Sequence, residues 1–401
     1  MKISQILIRD LRILSSLIIG KFFRRDPNLW VFGEWFGKRC CDNSLYLANY
    51  VSEHYPDIRA VWIHREGTDL SLLHPDIERI EMDSAAAIRC LKHAAVAIMN
   101  EGFVDFSEKQ KFYFGSAVTV NLWHGVPWKR IFNDSVLSKN NIKNFHTGLM
   151  NAVCKAKIFL ANSSEFRRIL INSNNLESSQ IIMAGYPRNS LFYSENLIEK
   201  ARQKTVEMIR DQGIACSMET KIITYMPTFR DKTHDIFSFV QLSTDEKFNS
   251  ILEKENAILV QKGHFITSER GGIPNKNLNT RIIELDHISA QELLAATDLL
   301  VTDYSSCFFD FLLLDRPIIH YLYDYDYYAN IDRGLYYRKE DVACGDCAMT
   351  VDNLIDSIDN NLKDPNKNSE LRQQRIQQYL DCEASGSCEV IVNAIRKELK
   401  K

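Results

Sequence analysis

At 401 residues the chain is long enough for two domains of ordinary size, each with its own core. A composition of 45% hydrophobic and 25% charged residues is that of a soluble globular protein. A net charge of −3 excludes binding a polyanion by bulk electrostatics, so no nucleic acid partner is expected and any basic surface must be local.

The first 28 residues form a basic amphipathic segment. Ile3, Ile6, Leu7, Ile13, Leu14, Leu17 and Ile18 recur with helical spacing, while Arg9, Asp10 and Arg12 interrupt any run of the roughly 20 apolar residues that a membrane span needs. Lys2, Lys21, Arg24 and Arg25 add positive charge. Such a helix either lies on an anionic membrane surface or packs on its own domain; both require the same periodicity. No small-residue cleavage site follows, which argues against a signal peptide.

From residue 29 short apolar runs alternate with helical stretches. Leu29–Gly33, Arg59–Ile63, Ala95–Met99, Ala117–Trp123, Lys157–Asn162 and Ile181–Gly185 read as buried parallel strands. Ser44–Tyr55 and Ser84–His93 read as helices between them. After a polar helix over Ser194–Gln212 the rhythm restarts with strands at Lys221–Phe229, Ala257–Gly263, Thr280–Leu285, Leu299–Asp303 and Pro317–Leu322. Helices fit Asp245–Glu255, Ser289–Ala296 and Ser306–Leu314, and the charged tail Ser369–Lys401 is helical with a break near Glu383–Ser387. This predicts two α/β domains, 29–193 and 194–375, preceded by a helix over 1–28 and followed by a helical tail over 376–401.

The ten cysteines are scattered, and Cys344 and Cys347 form the only C-x-x-C. Cys382 and Cys388 make a poor second pair for structural zinc, so reduced thiols are the expectation. No acidic cluster stands out, and no tightly bound metal or cofactor is expected.

The informative positions lie where strands end, because open parallel sheets bind ligands beyond their carboxyl edges. After Leu299–Thr302 the chain runs through Asp303, Tyr304, Ser305 and Ser306 into a helix. The unpaired amides of that helix start, with the two hydroxyls, suit a phosphate; a capped helix with nothing bound is the plain alternative. Trp123-His124-Gly125 ends another strand, and an imidazole there suits a general base toward an alcohol. Trp128, Lys129 and Arg130 offer a stacking face and two cations to an anionic acceptor, or simply begin a solvated helix. Arg188 and Arg230 each follow a strand and a proline, placed either to clamp a phosphate or to form an interdomain salt bridge. Lys262, Gly263 and His264 end a further strand, and Arg333 is a weaker phosphate candidate.

Five ordered motifs, "NLWHGVPWKRI", "ANSSEFRRIL", "AGYPRNSLF", "YMPTFRD" and the run from "LVTDYSS" to "DRGLYY", resemble the CDP-glycerol glycerophosphotransferase family of teichoic acid and capsule enzymes. The resemblance runs from about Leu29 to about Tyr337. It implies a GT-B fold, two facing Rossmann-like domains with the active site in the cleft. It also implies transfer of a polyol phosphate from a CDP-polyol to a hydroxyl of a lipid-linked acceptor, with release of CMP, at the cytoplasmic face of the membrane. Carried over, His124 is the base and His264 the second histidine, although the family usually continues with proline where this chain has Phe265. Ser305 and Ser306 match the hydroxyls at the donor phosphates, with Asp303 and Asp310 the flanking acids. Thr302, Tyr304 and Arg230 join that donor set, while Gly125, Lys129, Arg130, Arg188, Lys262 and Arg333 are expected at the acceptor or a phosphate. The short segment ahead of the first domain favours a short-product enzyme or a capsule-pathway role. Competing readings are a ribitol-phosphate transferase, a nucleotide-sugar glycosyltransferase of the same frame, and a non-catalytic subunit of an assembly complex.

Overall fold

All strand pairing within the two sheets is parallel in the computed structural model, which describes residues 3–135, 153–228, 236–262, 281–285, 287–332 and 334–401. The first sheet holds β1 (Asp26–Phe32), β2 (Arg59–His64), β3 (Glu78–Glu81), β4 (Ala94–Met99), β5 (Val118–Asn121), β6 (Ile158–Ala161) and β7 (Ile181–Met183), in the order β3-β2-β1-β4-β5-β6-β7. The second holds β8 (Lys221–Met226), β9 (Ala257–Gln261), β10 (Ile282–Glu284), β11 (Leu299–Thr302), β12 (Ile318–Tyr321) and β13 (Asp346–Ala348), in the order β10-β9-β8-β11-β12-β13. Parallel neighbours need crossover connections, and the apolar runs separated by helices supply them. In both sheets the order reverses beside the first strand, between β1 and β4 and between β8 and β11, and each reversal opens a crevice at the carboxyl edge.

Every expected strand forms among the described residues, and two more appear. β3 has the sequence ERIE and buries only Ile80, and β13 is three residues long, so neither carries an apolar run. Helix starts follow their capping residues. Ser84, Asp245 and Ser289 accept from the backbone amides of Ala87, Phe248 and Glu292, and Glu292 closes a capping box.

The chain divides into one compact unit of Met1–His124, Asn140–Ser190 and Cys382–Lys401, and a second of Gly125–Lys139 and Leu191–Asp381. This differs from the expected divisions after residues 28, 193 and 375. The N-terminal helix and the end of the tail pack within the first unit. There the Gly185 amide donates to Glu383 O and the Cys382 amide to Asn162 O, at 3.1 and 3.2 Å.

The helix Ile3–Gly20 docks through its small face. Ser16 Oγ accepts from the Phe112 amide at 2.9 Å, and Ile13 is buried. A Cβ on Gly115 would stand 2.1 Å from Leu17 O, and one on Gly20 would stand 2.5 Å from Tyr113 O, so only glycine permits this approach. The opposite face exposes Leu7, Ile8, Leu11, Leu14, Ile18 and Ile19, followed by Phe22. The expectation that the segment packs on its own unit is met, and the packed helix still presents an apolar stripe. Among the described residues no helix is long and apolar enough to cross a membrane.

Candidate active site

In the second unit, the ends of β8 and β11 are tied across the strand-order reversal. Thr302 Oγ1 donates to Met226 O at 2.7 Å. Asp303 is buried, and its Oδ1 accepts from the amides of Thr228 at 2.8 Å and Tyr304 at 2.6 Å. A carboxylate bonded to two amides fixes both strand exits at once. The Tyr304 hydroxyl donates to Asp324 Oδ1 at 3.0 Å, and its ring stacks on Tyr328 at 3.9 Å between centroids. Asp310 accepts from Gln291 Nε2 at 3.1 Å and is likewise buried. Three of the six expected donor residues in this stretch, Thr302, Asp303 and Tyr304, thus build the turn, while Asp310 lies in the following helix and ties it to Gln291.

Ser305 and Ser306 are the half-buried members. Ser306 occupies the N-cap without a side-chain cap bond, and Ser305 Oγ accepts from the Cys307 amide at 3.4 Å. The helix that follows, Cys307–Phe311, is five residues long, so amides and hydroxyls rather than a long macrodipole mark this edge.

Trp128 is not a stacking face for a ligand. It is fully buried, lies 5.4 Å from Tyr304 and meets Phe308 and His320 edge-on, and its Nε1 donates to Tyr337 O at 2.9 Å. Lys129 begins no helix; it bridges Leu335 in antiparallel fashion. The Arg130 amide and Nε donate to Gly334 O and Leu335 O at 3.0 and 3.1 Å. Lys262, expected at a phosphate, is buried with Nζ on Ile288 O at 2.6 Å. His264, Arg230 and Arg333 lie outside the described residues.

In the first unit, β5 stops at Asn121, and Asn121 Oδ1 accepts from the Trp123 amide at 2.7 Å. Trp123 takes a left-handed conformation, φ 59°, and Gly125 has φ 140°. Such a backbone at a tryptophan costs on the order of 1–3 kcal/mol, and surrounding contacts must hold it. One of them is Asn43 Nδ2, which donates to Trp123 O at 2.9 Å. His124 projects from this bend, stacked on Trp123 at 4.4 Å and 5.7 Å from Trp35, with 29% of its side chain exposed. Its Nδ1 lies 3.1 Å from Glu101 Oε1, a close contact that falls short of hydrogen-bond alignment.

Arg188 turns away from the expected phosphate role. It is buried, with Nη1 on Asp42 Oδ1 at 2.7 Å and Nη2 on His124 O at 3.2 Å. The salt bridge foreseen as the alternative exists, but inside the first unit. Its effect is to hold the backbone carbonyl of His124.

Sequence reading missed the acids around this histidine. Glu34 follows β1, Glu101 and Asp105 follow β4, and Asp42 caps the helix Asn43–His54. Glu34 Oε1 accepts from the amides of Cys41 and Asp42. Asp105 Oδ1 accepts from the Phe36 amide at 2.8 Å, and its Oδ2 from those of Asn100 and Glu101 at 3.0 and 2.9 Å. Burial raises Glu101 well above the carboxylate range, with the charges of Asp105 and Asp42 adding to it. Burial also raises Glu34, and pushes Asp105 up to about 6 against the pull of the amides. The available signal was position: each acid follows a strand exit at the β1/β4 reversal. Among the described residues no three His, Cys, Asp or Glu side chains are grouped to hold a metal ion.

With this geometry in hand, comparison with known proteins is specific. Residues 16–397 match the family described as CDP-Glycerol:Poly(glycerophosphate) glycerophosphotransferase. The chain is similar to the teichoic acid poly(glycerol phosphate) polymerase of Bacillus spizizenii, 27% identical over 378 residues that cover 89% of each chain. It is also similar to the teichoic acid glycerol-phosphate transferase of Staphylococcus aureus, 26% identical over 327 residues and 79% of each. Among solved structures, the wall teichoic acid polymerase TagF matches 99% of this chain and 98% of its own with a TM-score of 0.75 at 19% identity, a likeness of fold.

Proposed function

The chain belongs to the CDP-glycerol:poly(glycerophosphate) glycerophosphotransferase family, and on that premise we propose that His124 is the base that activates the acceptor hydroxyl. The chain is a GT-B enzyme that moves glycerol phosphate from CDP-glycerol to a teichoic-acid-type polymer or primer and releases CMP. In our reading the acceptor oxygen forms a bond to the phosphorus that bears glycerol. The bond from that phosphorus to the CMP oxygen breaks, and CMP keeps the electron pair. His124 takes the acceptor proton, and Glu101 beside Nδ1 stabilises the imidazolium that results. The amides and hydroxyls at Ser305 and Ser306, with Arg230 and His264, receive the donor phosphates.

One observation carries this assignment. His124 stands on a strained bend at a strand exit, with a buried carboxylate at Nδ1 and an arginine on its carbonyl. A merely structural histidine needs no such support. Incubating the protein with CDP-glycerol, CDP-ribitol and nucleotide sugars, and identifying the nucleotide released, tests the function. CMP from CDP-glycerol supports it; a nucleoside diphosphate from a sugar donor would overturn it.

We further propose that the acceptor is lipid-linked and that the enzyme works peripherally at the membrane face. The exposed stripe of the helix Ile3–Gly20 supports this, since Leu11 is 67% and Phe22 84% exposed. Replacing Leu11 and Ile18 with serine should weaken vesicle binding; unchanged binding would remove the membrane reading.

A further inference from the structure

A cavity of about 650 Å³ opens in the first unit where β1, β2 and β3 begin, lined in part by Asp26, Arg59 and Glu78. All strands of this sheet run parallel, so the cavity sits at the edge opposite the strand exit that carries His124. No step proposed above uses it. Four arginines, Arg24, Arg25, Arg59 and Arg89, line it together with His93.

Two of these arginines are already committed. Arg25 donates through Nη1 to the carbonyls of Leu91, Lys92 and Ala94, and through Nη2 to those of Gly20 and Tyr113. It thereby satisfies the last carbonyls of the helix Ala85–His93 and fastens the end of the N-terminal helix. Arg59 pairs with Glu78, Nε to Oε2 at 3.0 Å. Arg24 and Arg89 differ. Both are exposed, and neither guanidinium makes a hydrogen bond or ion pair with a described residue. His93 turns its Nδ1 to the Arg24 carbonyl at 3.0 Å.

Four arginines thus meet two lining acids, of which Glu78 is paired with Arg59 and Asp26 accepts from the Asn28 amide at 3.0 Å, so the guanidiniums of Arg24 and Arg89 stay uncommitted. The exposed apolar stripe of the N-terminal helix runs on to Phe22, two residues before Arg24. We infer that this cavity is a binding site for a phosphate-bearing anionic headgroup, with Arg24 and Arg89 supplying the forks that grip its oxygens. Guanidinium geometry matches phosphate in two-point fashion, and an apolar flank beside it suits the glyceride end of a lipid. The same chemistry is offered by an anionic phospholipid or by a soluble phosphate ester. The lipid source rests on the membrane reading above, whereas the anion site stands without it.

The test uses the full chain and its Arg24→Gln/Arg89→Gln variant, both substitutions being at exposed positions. Flotation compares vesicles of phosphatidylcholine with vesicles that also contain phosphatidylglycerol, and calorimetry with inorganic phosphate reports the soluble arm. The wild type should favour the phosphatidylglycerol vesicles, and the variant should lose that preference by on the order of tenfold. Binding to neutral vesicles and the rate of CMP release should not change. A variant that keeps the full preference overturns the site and leaves the membrane reading intact. Should the wild type bind neither vesicle but take up phosphate at a site the variant lacks, the site stands and the membrane reading falls. If wild type and variant behave alike toward vesicles and phosphate, the inference is overturned.

Discussion

His124 holds its Nδ1 3.1 Å from Oε1 of Glu101, a carboxyl group that burial pushes well above its ordinary range. Charge developing on the imidazole draws out the ionised form of this acid, so the pair works best when a proton arrives on the ring. Replacing His124 with alanine should lower kcat by roughly 10²–10⁴ while CDP-glycerol binding stays measurable. Glu101→Gln should cost less in kcat, leave KM for CDP-glycerol unchanged and move the acidic limb of the pH–rate profile downward. Assays of CMP release across pH check all three. A near-normal rate in the histidine variant would end its assignment as base.

Asp303 and Ser306 are expected to separate stability from binding. Asp303→Ala strips the partner from the amides of Thr228 and Tyr304, and each buried orphan costs about 1–3 kcal/mol. Urea unfolding should show that loss in the second unit. Ser306→Ala touches no cap bond, so unfolding should be unaltered while KM for CDP-glycerol rises. A Ser306 variant with unchanged kinetics would remove its hydroxyl from the donor site.

Arg188 makes the opposite trade. Breaking its buried pair with Asp42 leaves an uncompensated carboxylate and should destabilise the first unit by about 3–5 kcal/mol. Arg188→Lys should recover only part of this, because one ammonium cannot reach both Asp42 and the His124 carbonyl as the fork does. If Arg188→Ala were as stable as the wild type and raised only KM, the side chain would be a ligand clamp after all.

The two units should respond to acid in opposite directions. His320 is fully buried and its pKa is lowered to about 4 by burial. Its stabilising effect is complete above the ordinary value of 6.5 and is lost as pH falls through about 4, a change on the order of 3 kcal/mol. Asp105 is raised to about 6 by burial, so its contribution is complete below the ordinary 3.8 and is lost as pH rises through about 6. Thermal unfolding followed by tryptophan fluorescence between those limits checks the signs. His320→Gln should flatten the acid loss in the second unit; an unchanged slope would contradict it.

Most of the fold was legible because its strands are apolar runs buried on both faces, as β4 and β11 are. β3 was not, since an edge strand that buries Ile80 alone has no run to read. The Trp-His-Gly bend was visible as a strand exit, and its histidine sits there. Its supporting acids were invisible because Glu34, Asp42, Glu101 and Asp105 come from separate stretches, and only the β1/β4 reversal gathers them. The assignment of Gly125–Lys139 to the second unit was equally hidden. It depends on Lys129 meeting Leu335 and Trp128 meeting Tyr337, pairings that no local pattern announces. Arg188 and Lys262 read as cations at an acceptor or a phosphate, with a salt bridge the alternative for Arg188, whereas backbone carbonyls and a carboxylate claim both.

The return of Cys382–Lys401 to the first unit bears on how the molecule is made. A ribosome finishes β7 and then synthesises residues 191–381 before the closing segment of that unit emerges, an interval of roughly 10–40 s at ordinary elongation rates. Through that interval the backbone groups of Asn162 and Gly185 lack the partners that Cys382 and Glu383 later bring. The earlier-born half is therefore the later to mature, and its nascent edge is where a chaperone has most to protect.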